Sequence, residues 1–138
     1  MKRGMLVGLG LAASCVLGAG LEDVVAPGTE AELLAGGFTF TEGATVNAAG
    51  EVFFVDQPNN KILRWTREQG VRTFMEPAGR ANGMCFAPDG ALLACADEKM
   101  ELWSIAPDGQ VTVIARGYEG KELNGPNDVW ACPRGGCY

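Results

Sequence analysis

Beyond residue 40 the chain alternates short apolar runs with turns, and the alternation repeats. Glu42-Gly43-Ala44-Thr45-Val46 aligns with Asn82-Gly83-Met84-Cys85-Phe86, and each segment leads into a turn ending in glycine, at Gly50 and Gly90. An apolar run follows in both copies, Glu51-Val52-Phe53-Phe54-Val55 and Ala91-Leu92-Leu93-Ala94-Cys95, closed by an acidic residue at Asp56 and Asp97. The third runs are Lys61-Ile62-Leu63-Arg64-Trp65 and Glu101-Leu102-Trp103-Ser104-Ile105, and the fourth are Val71-Arg72-Thr73-Phe74 and Val111-Thr112-Val113-Ile114. The offset is 40 residues for nearly all of these landmarks. Lys61, Leu63 and Trp65 fall on one side of their run while Ile62 and Arg64 fall on the other, which is the period of a strand. Pro88-Asp89-Gly90 and Pro107-Asp108-Gly109 have the chemistry of hairpin turns. A third copy opens at Asn127-Asp128-Val129-Trp130-Ala131, offset by 45 residues, the extra length being taken up by the Gly-rich polar residues 116–126. Pro133-Arg134-Gly135-Gly136 then matches the turn at Pro88.

Four short strands per repeat, at a spacing of roughly 40–50 residues, is the signature of a β-propeller blade. The predicted fold is therefore all-β: two blades and the first strand of a third. Propellers close with about four to eight blades, so the chain is expected to be the opening, truncated part of a larger ring. Its unpaired strand edges are expected to favour aggregation.

The N-terminal residues read differently. Lys2 and Arg3 precede an uncharged stretch over residues 4–20, after which Leu21-Glu22-Asp23 turns polar. A run of 17 residues is short for a membrane span, and Gly18 and Gly20 suit a cleavage site. Residues 1–20 are thus expected to form a signal peptide and 21–138 the propeller domain, exported to the periplasm or secreted. The alternatives are an uncleaved N-terminal anchor, or a lipoprotein lipidated at Cys15 in Ala12-Ala13-Ser14-Cys15, although the apolar stretch continues past that cysteine.

Composition narrows the chemistry. With 11 basic and 17 acidic residues the net charge is -6, and no extended basic stretch offers itself to nucleic acid or to an anionic membrane. There is no histidine, which removes Ser-His-Asp and Cys-His mechanisms within these residues and the usual His-based zinc sites. Cys85 and Cys95 flank the Pro88 turn, where they either face each other across a hairpin or fill strand positions as small buried residues, the plainer reading. Cys132 and Cys137 lack metal-knuckle spacing.

The repeat puts Glu42, Asn82 and Asn127 at one structural position, just before the innermost strand of each blade. One carboxylate and two amides, all offering oxygen, suit a hard divalent cation, with Ca²⁺ the first expectation and Mg²⁺, Mn²⁺ or Zn²⁺ as competitors. Asn82 and Asn127 have turn capping as an alternative role. Asp56, Asp97 and Asp128 are expected to hold backbone N–H groups in turns rather than to act as bases.

These residues carry a resemblance. Glu42-Gly43-Ala44, Val55-Asp56-Gln57-Pro58-Asn59-Asn60-Lys61-Ile62, Asn82-Gly83-Met84, Leu93-Ala94-Cys95-Ala96-Asp97 and Leu123-Asn124-Gly125-Pro126-Asn127-Asp128-Val129 resemble the gluconolactonase, regucalcin (senescence marker protein) and luciferin-regenerating enzyme family over residues 33–138. The resemblance implies a six-bladed propeller with one divalent metal at the channel mouth and hydrolysis of sugar lactones. It implies Glu42 and Asn127 as metal ligands, with Asn127 also contacting substrate in some members. Asn82 is a substrate-side residue only by its place in the repeat. The family's remaining metal ligand and its catalytic Asp belong to later blades, so the chain alone is expected to be inactive. Ala44 stands where the family often has Pro, and residues 131–138 depart from the usual strand end. Two other readings are a non-catalytic propeller that binds a partner and a remnant without function.

Overall fold

The computed structural model describes Gly20 and residues 25–138. The expected export signal, with the Cys15 alternative, lies outside the described residues apart from Gly20. The chain divides into two units, Met1–Glu32 and Leu33–Tyr138. In the first, residues 25–32 are exposed and form a turn in which the Thr29 N–H donates to the Ala26 carbonyl. Among the described residues no helix is long and apolar enough to cross a membrane.

The second unit holds the strands. β1 (Thr41–Val46), β2 (Val52–Asp56), β3 (Lys61–Thr66) and β4 (Gly70–Met75) form one four-stranded antiparallel sheet in sequence order. β5 (Ala81–Phe86), β6 (Leu92–Ala96), β7 (Glu101–Ile105) and β8 (Val111–Ala115) form a second with the same order. Each is a propeller blade. A two-residue hairpin of β9 (Gly117–Tyr118) and β10 (Lys121–Glu122) follows. The expected third-blade strand is reduced to a single bridge, Ala131 with Cys137, closed by a turn in which the Gly135 N–H donates to the Cys132 carbonyl at 2.9 Å. The matching bond in the second blade, Gly90 N–H to Ala87 carbonyl, is also 2.9 Å.

The repeat extends to the irregularities. β3–β4 slips register between Ile62 and Leu63 and β7–β8 between Leu102 and Trp103, positions 40 residues apart. One landmark differs. Asp56 ends β2, whereas Asp97 lies past β6 and opens a 3₁₀ turn, Asp97–Lys99.

Strand alternation gives each blade two apolar faces, and they are used in sequence. Phe53, Val55 and Ile62 of the first blade pack against Met84, Leu92, Ala94 and Ile105 of the second. Phe53 sits edge-on to both Phe74 and Phe86, with ring centroids 5.1 Å apart in each pair. The other face of the second blade, with Leu93 and Cys95, packs against Val129 and Ala131. Blades are thus joined chiefly by side-chain burial, while ladder hydrogen bonds join strands within a blade. Ile105 is 1% exposed and Val46 is 57% exposed. Ile105→Ala is expected to cost about 2–5 kcal/mol and Val46→Ala under about 1 kcal/mol, measured as the shift in urea midpoint at constant m-value.

Candidate metal and lactone site

Glu42 and Asn82 are each the second residue of an innermost strand, inside the strand rather than just before it as the sequence suggested. Both sit at a β-bulge. Gly43 and Ala44 together oppose Phe54, and Asn82 and Gly83 together oppose Cys95. A bulge adds a residue to one strand and bends it, while the starts of β1 and β5 stay paired, Glu42 with Val55 and Ala81 with Ala96.

The glycines after the two residues set how closely the innermost segments stack. Gly43 has φ +57°, and a Cβ there would run into the carbonyl oxygen of Asn82. A Cβ on Gly83 would lie 2.7 Å from the Asn127 carbonyl oxygen and 2.6 Å from Asp128 Cα. The Gly83 N–H donates to that same Asn127 carbonyl at 2.7 Å. Backbone contact therefore runs from Gly43 to Asn82 and from Gly83 to Asn127, and the three predicted residues occupy successive segments at one level. Asn127 itself lies in irregular backbone ahead of the Ala131 bridge.

The Glu42 and Asn127 side chains are exposed and Asn82 is half-buried. None of the three makes a hydrogen bond or ion pair with a described residue. Turn capping falls to other groups: Asn47 Oδ1 accepts the N–H of Ala49 and of Glu51 at 3.0 Å each, and Asp89 and Asp108 accept from Ala91 and Gln110. Glu42 lines an open cleft of about 450 Å³ with Ala35, Phe38, Ala44, Val52 and Phe54. Among the described residues no three His, Cys, Asp or Glu side chains converge. The donor set is one carboxylate with amide oxygens, which fits a hard cation such as Ca²⁺ and offers Zn²⁺ none of the N or S ligands it favours.

The aspartates are fasteners. Asp56 is 4% exposed; it accepts the Thr39 N–H at 3.2 Å, the Phe40 N–H at 3.2 Å and the Asn59 amide at 2.8 Å. Burial alone would push its pKa up. The Asn59 amide, the two N–H groups and the charge of Lys61 outweigh burial and hold it below its ordinary 3.8. Asp128 Oδ1 accepts the Val129 N–H at 2.8 Å. Asp97 Oδ2 accepts from Gln57 Nε2 at 3.4 Å, across the two blades. Asn60, whose role the sequence did not reveal, receives the Ala78 and Arg80 N–H groups on Oδ1 at 2.9 and 2.7 Å and so pins the crossover between blades. The signal available was the density of Asp and Asn in residues 56–60, since these side chains readily bond nearby backbone.

Cys85, Cys95, Cys132 and Cys137 are free thiols. Cys85 pairs with Leu93, not with Cys95. Burial pushes the Cys95 thiol up to about 11, with Asp128 and Cys137 adding to the effect, so it is a packing residue with little thiolate character.

Two expectations follow from these contacts. Gly83→Ala should loosen residues 127–131 from the second blade, seen as faster amide exchange at residue 83 and at Trp130 with β2 and β3 unchanged. Because the folded-state pKa of Asp56 is depressed, its contribution is complete above the unfolded value of about 3.9 and is lost as pH falls through the folded value. Asp56→Asn should therefore lower stability at neutral pH by on the order of 1–3 kcal/mol and flatten the acid decline below about pH 4, read from urea midpoints across that range.

The family model described as the SMP-30/Gluconolactonase/LRE-like region matches residues 40–138. A gluconolactonase of Zymomonas mobilis subsp. mobilis is 28% identical over 133 residues, covering 86% of this chain and 37% of the relative. An X-ray structure assigned as a gluconolactonase superposes with TM-score 0.75 at 37% identity, over 80% of this chain and 39% of the other. A gluconolactonase from Xanthomonas campestris, described as important in glucose secondary metabolic pathways, superposes with TM-score 0.72 at 24% identity, over 75% and 35% of the two chains, and supports the fold. The chain thus spans well under half the length of these relatives. With a family match over most of its length, two blades of propeller topology and the Glu42, Asn82 and Asn127 positions on successive innermost segments, the chain belongs to the SMP-30/gluconolactonase/LRE-like family.

Proposed function

We propose that this chain carries the opening part of a metal-dependent hydrolase for sugar lactones, and that Glu42 and Asn127 are ligands of its divalent cation, Ca²⁺ being the best match. The reading rests on one observation above all: Glu42, Asn82 and Asn127 occupy successive backbone-linked segments, and their side chains have no described partner to compete with a ligand. A bound divalent cation supplies Lewis-acid polarisation of the lactone carbonyl. Glu42 contributes the anionic oxygen that offsets half of the cation's charge. Asn127 contributes a neutral oxygen, and its amide N–H₂ is free to donate to a sugar hydroxyl. Asn82 stands between them and, half-buried, is suited to orient the same hydroxyls.

None of Asp56, Asp97 and Asp128 serves as the base for the attacking water. Asp56, Asp97 and Asp128 are each committed to a hydrogen bond within the fold, and a carboxylate held by N–H donors is a poor proton acceptor. The 138 residues alone are accordingly proposed to bind the cation without turning over lactone. Export is part of the proposal and rests on Lys2, Arg3 and the uncharged stretch that follows.

Calcium titration of the purified chain, followed by calorimetry, tests the reading. Saturable binding is expected, weakened at least ten-fold by Glu42→Gln and by a smaller factor by Asn127→Ala, with gluconolactone hydrolysis at the uncatalysed rate. Binding that is indifferent to Glu42→Gln would remove the metal assignment. Calcium binding in a protein that includes further blades, without hydrolysis of any sugar lactone, would favour a binding platform instead.

A further inference from the structure

Gln57 and Asp97 stand 40 residues apart, each one residue past the second strand of its blade. That is the end of the blades at which the candidate site lies. Glu42 pairs with Val55, and Ala81, next to Asn82, pairs with Ala96. Gln57 Nε2 donates to Asp97 Oδ2 at 3.4 Å. The other carboxylate oxygen, Oδ1, lies against Gly125. Gly125 has φ +56°, and a Cβ there would run into that oxygen. The half-buried Asp97 side chain therefore stands between the first blade and the segment that leads to Asn127.

The backbone of Asp97 is well held. It opens a 3₁₀ turn in which its carbonyl accepts the Met100 N–H at 3.0 Å. The next residue, Glu98, donates its N–H to the Gly79 carbonyl at 3.2 Å, in the crossover between the blades. The segment that Asp97 meets is held far less. Residues 123–130 carry no strand. Leu123 bonds back to the Arg116 carbonyl at 3.0 Å, across the small hairpin. Among the described residues, Asn124, Gly125 and Pro126 make no hydrogen bond with any other. The next bond is that of the Asn127 carbonyl, which accepts the Gly83 N–H at 2.7 Å. Asn127 is thus fixed on one side by its own carbonyl, and on the other by the seat of Gly125 against Asp97.

We propose that Asp97 is the positioning residue for Asn127, holding the approach to it through Gly125 while Gln57 holds the carboxylate. Its bearing on the cation rests on the reading of Asn127 as a ligand. An oxygen donor on irregular backbone keeps its place only if the groups around it lock that backbone, and partners behind metal ligands govern affinity for this reason. Glycine is needed at 125 because the φ is positive and the carboxylate leaves no room for a side chain. The contact works by shape and one accepted hydrogen bond, so an amide of the same shape should replace the carboxylate.

Amide exchange without calcium, and calcium titration, of Asp97→Ala, Asp97→Asn and Gly125→Ala in the 138-residue chain test this. In Asp97→Ala, exchange at Gly83 is expected to quicken about ten-fold while β2 and β3 are unchanged, as for a local opening. Calcium affinity should fall about ten-fold, and Asp97→Asn should bring both readouts back toward the unsubstituted chain. Gly125→Ala, which forces the same two groups apart from the other side, should reproduce both losses. Unchanged exchange at Gly83 in Asp97→Ala and in Gly125→Ala overturns the proposal, whether or not calcium binds. A loss of affinity in Asp97→Asn as large as in Asp97→Ala assigns the effect to charge rather than to position and overturns it as well. Where the unsubstituted chain binds no calcium, the ligand reading of Asn127 fails, while faster exchange in Asp97→Ala still supports Asp97 as the residue that holds Asn127.

Discussion

The arrangement depends on how closely the innermost strands approach one another. At Gly43 and Gly83 neighbouring backbone occupies the place where a Cβ would stand. Stacking at that distance lets Glu42, Asn82 and Asn127 fall at one level, because each bulge turns its strand and the glycine beside it leaves room for the next segment. Any larger residue would push the segments apart and separate Glu42, Asn82 and Asn127. The third segment has Asp128 where the first two have glycine, and that Asp turns its carboxylate onto its own neighbour, Val129.

The fold was largely legible in the sequence because a propeller is built from local units. Turn residues at Gly50, Gly90 and Gly109, and runs such as Phe53–Val55 with alternating faces, announce hairpins without reference to distant parts of the chain. The repeat extends to the bulges, which lie beside Glu42 in the first blade and at Asn82 in the second. The third strand was less predictable. Val129 and Ala131 do pack as strand residues on Leu93 and Cys95, but Ala131 makes only an isolated bridge, with Cys137. A strand needs a partner on its flank to be drawn into a ladder, and the sequence pattern alone does not say whether one is present.

The candidate site was legible in part. Repeat alignment located Glu42, Asn82 and Asn127, and the structure puts them in sequence along the innermost segments. What the sequence hid was the division of labour among similar side chains. Asn47, Asn59, Asn60, Asn82 and Asn127 look alike on paper. Asn47 caps a turn, Asn59 holds a carboxylate, Asn60 pins a crossover, and Asn82 and Asn127 hold nothing described. The same holds for Asp56, whose place at a strand end is ambiguous until the N–H groups of Thr39 and Phe40, 16 and 17 residues away, are seen to converge on it.

Pairing each strand only with its neighbour in sequence also sets a clock. Hairpins form in about 1–10 μs, whereas ribosomes add about 5–20 residues per second. The four strands of the first blade, Thr41–Val46 through Gly70–Met75, are thus free to pair seconds before Leu92 and Ile105 emerge to cover Phe53 and Val55. A blade can thus complete its hydrogen bonding before the partner that buries its apolar face has been made. The sequential topology that makes the fold easy to read therefore leaves Phe53 and Val55 uncovered for an interval set by the rate of synthesis.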